Sequence, residues 1–165
     1  MDRVILRKSN IINAGNGLFT NTHFVKGEKI SSYGGTIYNK KDYLKDSDYS
    51  LNIEDKVILG DKIYKSSDKA AQFINDAGII QDESDIESYI KTIYNTNSYL
   101  VDTGDEFIAI SIKDIKPNEE LYVHYGINYW LAKNKIIIDP YKLSLYLEEE
   151  EYVQDNYLRS LDMYL

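Results

Sequence analysis

Short apolar runs broken by glycine-rich and polar turns fill the first 60 residues of the chain. In residues 49–53 and 56–59, apolar and polar positions alternate with the two-residue period of a strand. Glu54 and Asp55 between them supply a turn, so a hairpin is predicted. Further strands bounded by turn residues are predicted at 4–6, 18–20, 29–33 and 36–38. The charged residues 40–48 predict a loop or a short helix.

The second half of the chain alternates less regularly. A short helix is predicted at 69–74, and strands at 98–101 and 106–112 form another hairpin. A last short strand is predicted at 121–123. Residues 79–96 are first acidic and then rich in Tyr and Ile without clear periodicity, and they are interpreted as an inserted loop with some helix. The pattern as a whole predicts a mostly β domain.

The end of the chain has a different period. Asp139 is a favourable helix cap, and Pro140 suits the first position of the helix. Apolar residues then recur at roughly helical spacing, at Leu143, Tyr146, Leu147, Val153, Tyr157 and Leu161. The acidic run Glu148 to Glu151 indicates either a solvated helix face or a break between two helices. A helical C-terminal tail is therefore predicted.

Composition excludes several classes of function. The formal net charge is −8 and the pI is near 4.8, which argues against direct nucleic-acid binding and favours a basic partner. The absence of cysteine excludes disulfides, thiol nucleophiles and cysteine-zinc sites, and the two histidines are too few for a metal cluster. No signal-peptide pattern or membrane-length apolar run is present, so a soluble intracellular protein is expected, in the cytoplasm or a nucleus.

Four short motifs stand out, and each alone has an ordinary structural explanation. Gly15-Asn16-Gly17 is a hairpin turn without the third glycine of a nucleotide-binding fingerprint. Tyr33-Gly34-Gly35 ends a strand, Phe73–Asp76 is a buried helix end with a polar cap, and Tyr122–Gly126 is an aromatic strand. With sixteen tyrosines in the chain, core packing is the alternative explanation for any one of them.

The order of these motifs resembles that of the SET family of protein lysine methyltransferases. The family pattern has a GxG turn, a strand ending in YxG, an (R)FINH-type turn and a GEEL-x-x-x-YG ending. This chain has A-G-N-G-L-F at 14–19, Y-G-G at 33–35, Q-F-I-N-D at 72–76 and E-E-L-Y-V-H-Y-G at 119–126. The resemblance covers about residues 3–130, and its last motif is the most specific.

The resemblance implies a SET-domain, or β-clip, fold of small sheets, in which the C-terminal motif threads under a preceding loop and lies beside the FIND segment. S-adenosylmethionine and a lysine-bearing peptide would enter from opposite faces and meet in a narrow channel. The cofactor-binding residues it implies are Ala14, Asn16, Gly17, Asn75 and Asp76, with Asp76 acting chiefly through its backbone.

The implied catalytic residues are Tyr125, at the methyl-transfer channel, and Tyr33, near the target lysine. Methyl transfer from a sulfonium to an amine needs in-line placement and a neutral amine. Neutralising a free lysine at pH 7 costs about 4–5 kcal/mol, and a dry aromatic channel lowers its pKa by disfavouring the ammonium. Tyrosine suits such a wall because it is rigid, largely apolar and tipped by one hydroxyl.

Two positions depart from the family pattern. Gln72 stands where arginine is common, and Asp76 where histidine is usual. Asn97 corresponds to the asparagine of the family's PN step. If the family's arginine and histidine at these two positions mainly shape the loop, methyltransferase activity is retained without them. If they are needed for activity, the chain is a binding module.

The resemblance divides the chain into a SET domain over 1–130, with an insertion at about 79–94, and a helical extension over 131–165. Since cysteine-zinc segments are excluded, the extension must close the site, with Trp130 or Tyr141 placed against the adenine. Ordinary core packing is the alternative for Trp130.

These observations predict an S-adenosylmethionine-dependent protein lysine N-methyltransferase acting on a histone tail or another basic protein. The alternatives are a catalytically inactive SET-like protein-binding module and an unrelated all-β structural protein. No metal and no membrane contact are expected.

Overall fold

The computed structural model describes residues 1–42, 49–53 and 55–165 of the 165-residue chain. The segment predicted as a loop or short helix at 40–48 begins with a 3-10 turn at Lys40–Asp42, and its remainder lies outside the described residues. Glu54 in the predicted hairpin turn also lies outside them. The strands on either side of it pair antiparallel, as predicted.

The described residues contain ten short strands, which confirms the predicted mostly β fold. In chain order they are β1 (Val4–Lys8), β2 (Asn16–Thr20), β3 (Lys29–Ser32), β4 (Gly35–Asn39), β5 (Ser50–Ile53), β6 (Lys56–Gly60), β7 (Asn75–Asp76), β8 (Ser98–Asp102), β9 (Phe107–Ser111) and β10 (Tyr122–Val123). They form four small sheets, ordered β1-β2, β3-β9-β8, β4-β6-β5 and β7-β10. The β7-β10 pair is parallel, and the pairs in the other sheets are antiparallel.

The turn between β1 and β2 owes its shape to residues that accept a left-handed backbone. Asn13 and Gly15 have φ angles of 66° and 71°, which asparagine and glycine adopt more readily than other residues. The amide of Ser9 closes the turn by donating to the carbonyl of Gly15 at 2.9 Å. This places residues 14–16 at the edge of the molecule, where the candidate site lies.

The E-E-L-Y-V-H-Y-G segment threads between other parts of the chain. Tyr122 and Val123 pair with Asn75 and Asp76 in the parallel sheet. On the other side, the Asn97 side chain donates to the Glu120 carbonyl at 2.8 Å and accepts from the Tyr122 amide at 2.9 Å. The FIND and ELYVHYG segments therefore lie side by side, as predicted. The hydrogen bonds of Asn97 hold the ELYVHYG segment in place.

Residues 79–96, predicted to be an inserted loop with some helix, are mostly helical. Helix α1 (Ile86–Lys91) is flanked by 3-10 turns at Glu83–Asp85 and Thr92–Asn95. Four buried residues of this segment follow the helical i, i+3, i+4, i+7 spacing, namely Ile86, Tyr89, Ile90 and Ile93. The predicted helix is confirmed within 83–95, and the expected lack of periodicity is wrong there.

Two further helices form the C-terminal part, α2 (Ile127–Lys133) and α3 (Pro140–Ser160). Asp139 caps α3 by accepting from the amides of Tyr141 and Lys142, each at 3.0 Å. The helix runs unbroken through the acidic residues 148–151, so the alternative of a break is excluded. Within the described residues, no helix has both the length and the apolar character needed to cross a membrane.

Two hydrophobic clusters hold these parts together. The first lies among the small sheets and includes Val4, Leu18, Phe24, Ile74, Leu121 and Val123. The second joins α1 to α2 and α3 and includes Ile86, Tyr89, Ile90, Ile127, Tyr157 and Leu158. The C-terminal helices therefore pack on the insertion, and this packing places α3 beside the end of the threaded segment.

Candidate active site

A cavity of about 920 Å³ opens beside the turn between β1 and β2, and we call it the turn-side cavity. Four of the five predicted cofactor-binding residues line it, namely Ala14, Asn16, Asn75 and Asp76. Trp130 lines it as well. Its volume lies within the range of roughly 300–1,000 Å³ that is typical of small-molecule sites.

Gly17, the fifth predicted cofactor residue, is buried and does not line this cavity. A Cβ at Gly17 would lie 2.1 Å from Oε1 of Glu120 and 3.1 Å from Nδ2 of Asn75. The glycine is therefore required for close packing of the turn against these two side chains.

Glu120 is a buried carboxylate that the sequence reasoning did not single out, and it organises the floor of the turn. It accepts hydrogen bonds from Ser9 Oγ at 2.6 Å, the Asn10 amide at 2.8 Å and Tyr122 Oη at 2.7 Å. Asn75 Nδ2 lies 3.3 Å from Glu120 and also donates to the Asn16 carbonyl at 3.0 Å. Its sequence signal was an acidic residue placed directly before an apolar strand.

Asp76 is a buried carboxylate surrounded by donors. Oδ2 accepts from the hydroxyl of Tyr89, from Trp130 Nε1 at 2.9 Å and from the Tyr125 amide at 3.0 Å. Oδ1 accepts from the Gly78 amide at 3.0 Å. Burial raises the pKa of Asp76, and the hydrogen bonds, chiefly that from Tyr89, oppose the rise. Because the side chain is committed to these partners, any ligand contact would come from the backbone.

Gln72, the other departure from the family pattern, also has a structural role. Its Oε1 accepts from the Gly34 amide at 2.9 Å, and its Nε2 donates to the carbonyls of Lys69 and Asp61 at 3.3 and 3.4 Å. It therefore fixes the junction between β3 and β4, directly after Tyr33. Both departures are accommodated by hydrogen bonds within the protein.

A second cavity, of about 470 Å³, lies on the side of the site that α3 covers, and we call it the helix-side cavity. Tyr33 and Leu147 line it together with Glu150 and Glu151 from the acidic run. Among the described residues that line this cavity, none is Lys or Arg. The acidic run therefore contributes negative charge to a concave surface as well as to an exposed helix face.

Tyr125, Tyr129 and Gln72 line both cavities, so these residues form a shared wall. The Tyr125 hydroxyl donates to the Ile74 carbonyl at 2.6 Å. Its ring contacts those of Tyr129 and Trp130 at centroid distances of 4.8 and 6.2 Å. Burial, and secondarily the Asp76 carboxylate, hold the pKa of Tyr125 well above its usual value.

Tyr33 reaches the helix-side cavity from the end of β3. Its hydroxyl donates to the Tyr49 carbonyl at 2.6 Å, and burial, followed by the influence of Tyr129, raises the pKa of Tyr33 above its usual value. Tyr33 and Tyr125 are thus both neutral hydroxyls near pH 7, suited to orienting a ligand and unsuited to accepting a proton.

Of the two aromatic residues expected near the adenine, only one is close to the turn-side cavity. Trp130 lines the cavity and donates to Asp76. Tyr141 is 72% exposed at the start of α3 and lines neither cavity. If the C-terminal helices supply an aromatic contact to a bound ligand, the geometry favours Trp130 in α2.

The sequence model of the SET domain matches residues 15–126. Among curated proteins, no sequence matches the chain. Of the solved structures that resemble it, the methyltransferase domain of human PR domain-containing protein 2 is 17% identical with a TM-score of 0.51, over 76% of this chain and 78% of that one. KRYPTONITE in complex with mCHH DNA, H3(1-15) peptide and SAH is 16% identical with a TM-score of 0.50, over 74% of this chain and 23% of that one. At these identities the likeness shows a shared fold.

Proposed function

The chain belongs to the SET-domain family, and on that basis we propose that it is an S-adenosylmethionine-dependent protein lysine N-methyltransferase that acts on a histone or another basic protein. The observation that carries the proposal is the shared wall. Tyr125 separates a turn-side cavity lined by the implied cofactor residues from a helix-side cavity lined by Tyr33. A methyl donor on one side and an amine on the other would meet at this residue.

The turn-side cavity fits the donor by volume and by lining. Ala14, Asn16 and Asn75 would hold it at the turn, and Trp130 offers an aromatic face. S-adenosylmethionine supplies a methyl group on a sulfonium. The protein supplies placement, since in-line orientation alone accounts for a large part of the rate of such transfers.

The aromatic wall favours a neutral amine on the helix side. Burial beside Tyr33, Tyr125 and Tyr129 removes water from a bound lysine, which lowers its pKa by disfavouring the ammonium. The Ile74 and Tyr49 carbonyls occupy the hydroxyl protons of Tyr125 and Tyr33 and fix where their oxygen lone pairs lie. These oxygens are then the groups that orient the amine.

The charge of the helix-side cavity supports a basic substrate. Glu150 and Glu151 line it, and the chain as a whole carries a formal net charge of −8. Opposite charge steers a basic peptide toward the cavity and raises its rate of association. KRYPTONITE, which has the same fold, was solved with an H3(1-15) peptide. A histone tail is therefore the first substrate to test.

The domain division is part of the proposal. Residues 1–130 form the SET domain with its insertion at about 79–94, and 131–165 form an extension that covers the helix-side cavity with α3. The alternative function is a catalytically inactive SET-like module that binds a basic protein partner through the same cavity. The side chains at Gln72 and Asp76 would favour this alternative only if the family's arginine and histidine were needed for chemistry.

The test is transfer of labelled methyl groups from S-adenosylmethionine to mixed core histones, with the wild type beside Tyr125→Phe and Asn75→Ala. Titration calorimetry measures binding of the cofactor and of histone peptides in parallel. Transfer that both variants reduce supports the enzyme. Binding of a basic peptide without cofactor binding or methyl transfer supports the binding module. If methyl transfer, cofactor binding and peptide binding are all absent, both the enzyme and the module are overturned.

A further inference from the structure

Three consecutive backbone amides at the end of the threaded segment are each held by a side chain from a different element. The Tyr125 amide donates to Asp76 Oδ2 at 3.0 Å. The Gly126 amide donates to the hydroxyl of Tyr89 at 2.9 Å, and the Ile127 amide donates to Glu150 Oε2 at 2.8 Å. These acceptors belong to β7, α1 and α3.

The backbone of this turn is irregular. Gly126 has a φ angle of 103°, a conformation that L-residues with side chains rarely adopt. Ile127 is the first residue of α2, so its amide has no partner within the helix. A carboxylate at this end of a helix is favoured both as a hydrogen-bond acceptor and by the helix dipole.

Glu150 makes a second contact at the same place. Its Oε2 also lies 2.8 Å from Nε2 of His124, the residue directly before Tyr125. The two side chains are only 17% and 9% exposed, and the His124 ring stacks on Tyr89 at a centroid distance of 4.7 Å. One carboxylate on α3 therefore contacts the chain on both sides of Tyr125.

Helix α3 also docks through contacts that do not involve this carboxylate. Tyr157 and Leu158, farther along the helix, are buried in the second hydrophobic cluster, and Tyr157 Oη donates to the Thr96 carbonyl at 2.7 Å. Removing Glu150 is therefore expected to leave the overall fold unchanged and to alter the turn at residues 125–127.

We propose that Glu150 is a positioning residue for methyl transfer, through which α3 fixes the Tyr125 turn against the shared wall. The proposal rests on the proposed function for its catalytic consequence. Helix α3 then both covers the helix-side cavity and positions a catalytic residue. It also means that the SET domain as delimited at residue 130 lacks one of the three side chains that hold its catalytic turn.

The experiment compares Glu150→Ala, Glu150→Asp and Glu150→Gln with the wild type. Alanine removes both hydrogen bonds, aspartate keeps the charge but shortens the reach by one methylene, and glutamine keeps an oxygen at the same reach. Glu149→Ala, at an exposed neighbour on the same helix that lines neither cavity, is the matched control.

The first measurement is steady-state kinetics. Because a misplacement of about 1 Å costs on the order of 100-fold in rate, we expect kcat to fall by about tenfold to a hundredfold in Glu150→Ala. The KM for S-adenosylmethionine should stay within about threefold of the wild-type value. Glu150→Gln should restore most of the rate, while Glu150→Asp should resemble alanine and serves in its place if the alanine variant does not fold.

The second measurement is amide hydrogen exchange at Gly126 and Ile127, which does not depend on activity. The Ile127 amide should exchange at least about tenfold faster in Glu150→Ala than in Glu149→Ala. Unchanged exchange, or a kcat equal to that of Glu149→Ala, would overturn the proposal. If the wild type transfers no methyl group but Glu150→Ala still accelerates exchange at Ile127, the proposed function fails and the fixing of the turn by α3 stands.

Discussion

The hydroxyl of Tyr125 is held on the Ile74 carbonyl at the wall that both cavities share. Removing it in Tyr125→Phe keeps the ring and its contacts with Tyr129 and Trp130. We expect kcat to fall by about tenfold to a hundredfold, since losing one hydrogen bond that acts in the transition state costs roughly 1.4–2.8 kcal/mol. The dissociation constant of S-adenosylmethionine, measured by calorimetry, should change by less than about threefold.

Tyr152→Phe is the matched control for this prediction, because Tyr152 is 71% exposed on α3 and lines neither cavity. Its kcat should equal that of the wild type. An equal loss of rate in both variants would show that the Tyr125 hydroxyl has no special place in the reaction.

Asp76 carries a prediction about stability. In Asp76→Asn the amide nitrogen would face donors such as the Gly78 amide or Trp130 Nε1, so at least one buried donor loses its acceptor. An unsatisfied buried donor costs about 1–3 kcal/mol. Since burial raises the pKa of Asp76, the neutral side chain also relieves a desolvation cost, and we expect a net loss near the lower end of that range.

Urea denaturation at pH 7 measures this change, with Asp105→Asn at an exposed turn as the control. Since the pKa of Asp76 is raised in the folded protein, the wild type gains stability from this group as it is protonated in acid. The stability difference between the wild type and Asp76→Asn should therefore depend on pH. An Asp76→Asn protein as stable as the wild type at every pH would mean that the four donors do not need this carboxylate.

At the scale of elements, the segment 79–96 shows where a sequence pattern is easily missed. Its apolar positions have helical spacing, but acidic residues fill the first part and the helix itself spans only Ile86–Lys91. A short helix stabilised by tertiary contacts gives a weak local signal. The strands, by contrast, were predictable because glycine and asparagine mark their turns.

The buried face of α1 gives a test of its structural importance. Ile90 is 1% exposed in the second hydrophobic cluster, so Ile90→Ala should destabilise the fold by about 2–5 kcal/mol. Ile79, in the same segment, is 50% exposed, and Ile79→Ala should cost much less. Equal midpoints of chemical denaturation for the two variants would contradict the packing of α1 as a core element.

At the scale of the whole molecule, the order of the motifs predicted the fold and four of the residues that line the turn-side cavity. A single short motif indicates only local structure. The GxG, FIND and YG segments could be placed together because their order matches that of the SET family, whose fold this chain shares. The partners of Asp76 and Glu150 were not predictable in this way. Their side chains bond to amides 49 and 23 positions away in the chain, those of Tyr125 and Ile127. Long-range side-chain contacts of this kind leave no periodic signal in one sequence.

The last prediction concerns the charge around the helix-side cavity. Glu149 and Glu151 are both exposed, but only Glu151 lines the cavity. Glu151→Lys and Glu149→Lys change the formal net charge of −8 by the same two units. If local charge recognises a basic peptide, the KM for that peptide should rise about fivefold or more in Glu151→Lys and much less in Glu149→Lys, with kcat little changed.

Salt tests whether the rise in KM is electrostatic. The Debye length falls from about 10 Å at 0.1 M to about 3 Å at 1 M ionic strength, so the two variants and the wild type should converge as salt is raised. Equal rises of KM in both lysine variants would mean that the net charge of the protein, and no particular residue, attracts the substrate. An unchanged KM in Glu151→Lys at low salt would place the basic part of the peptide away from α3.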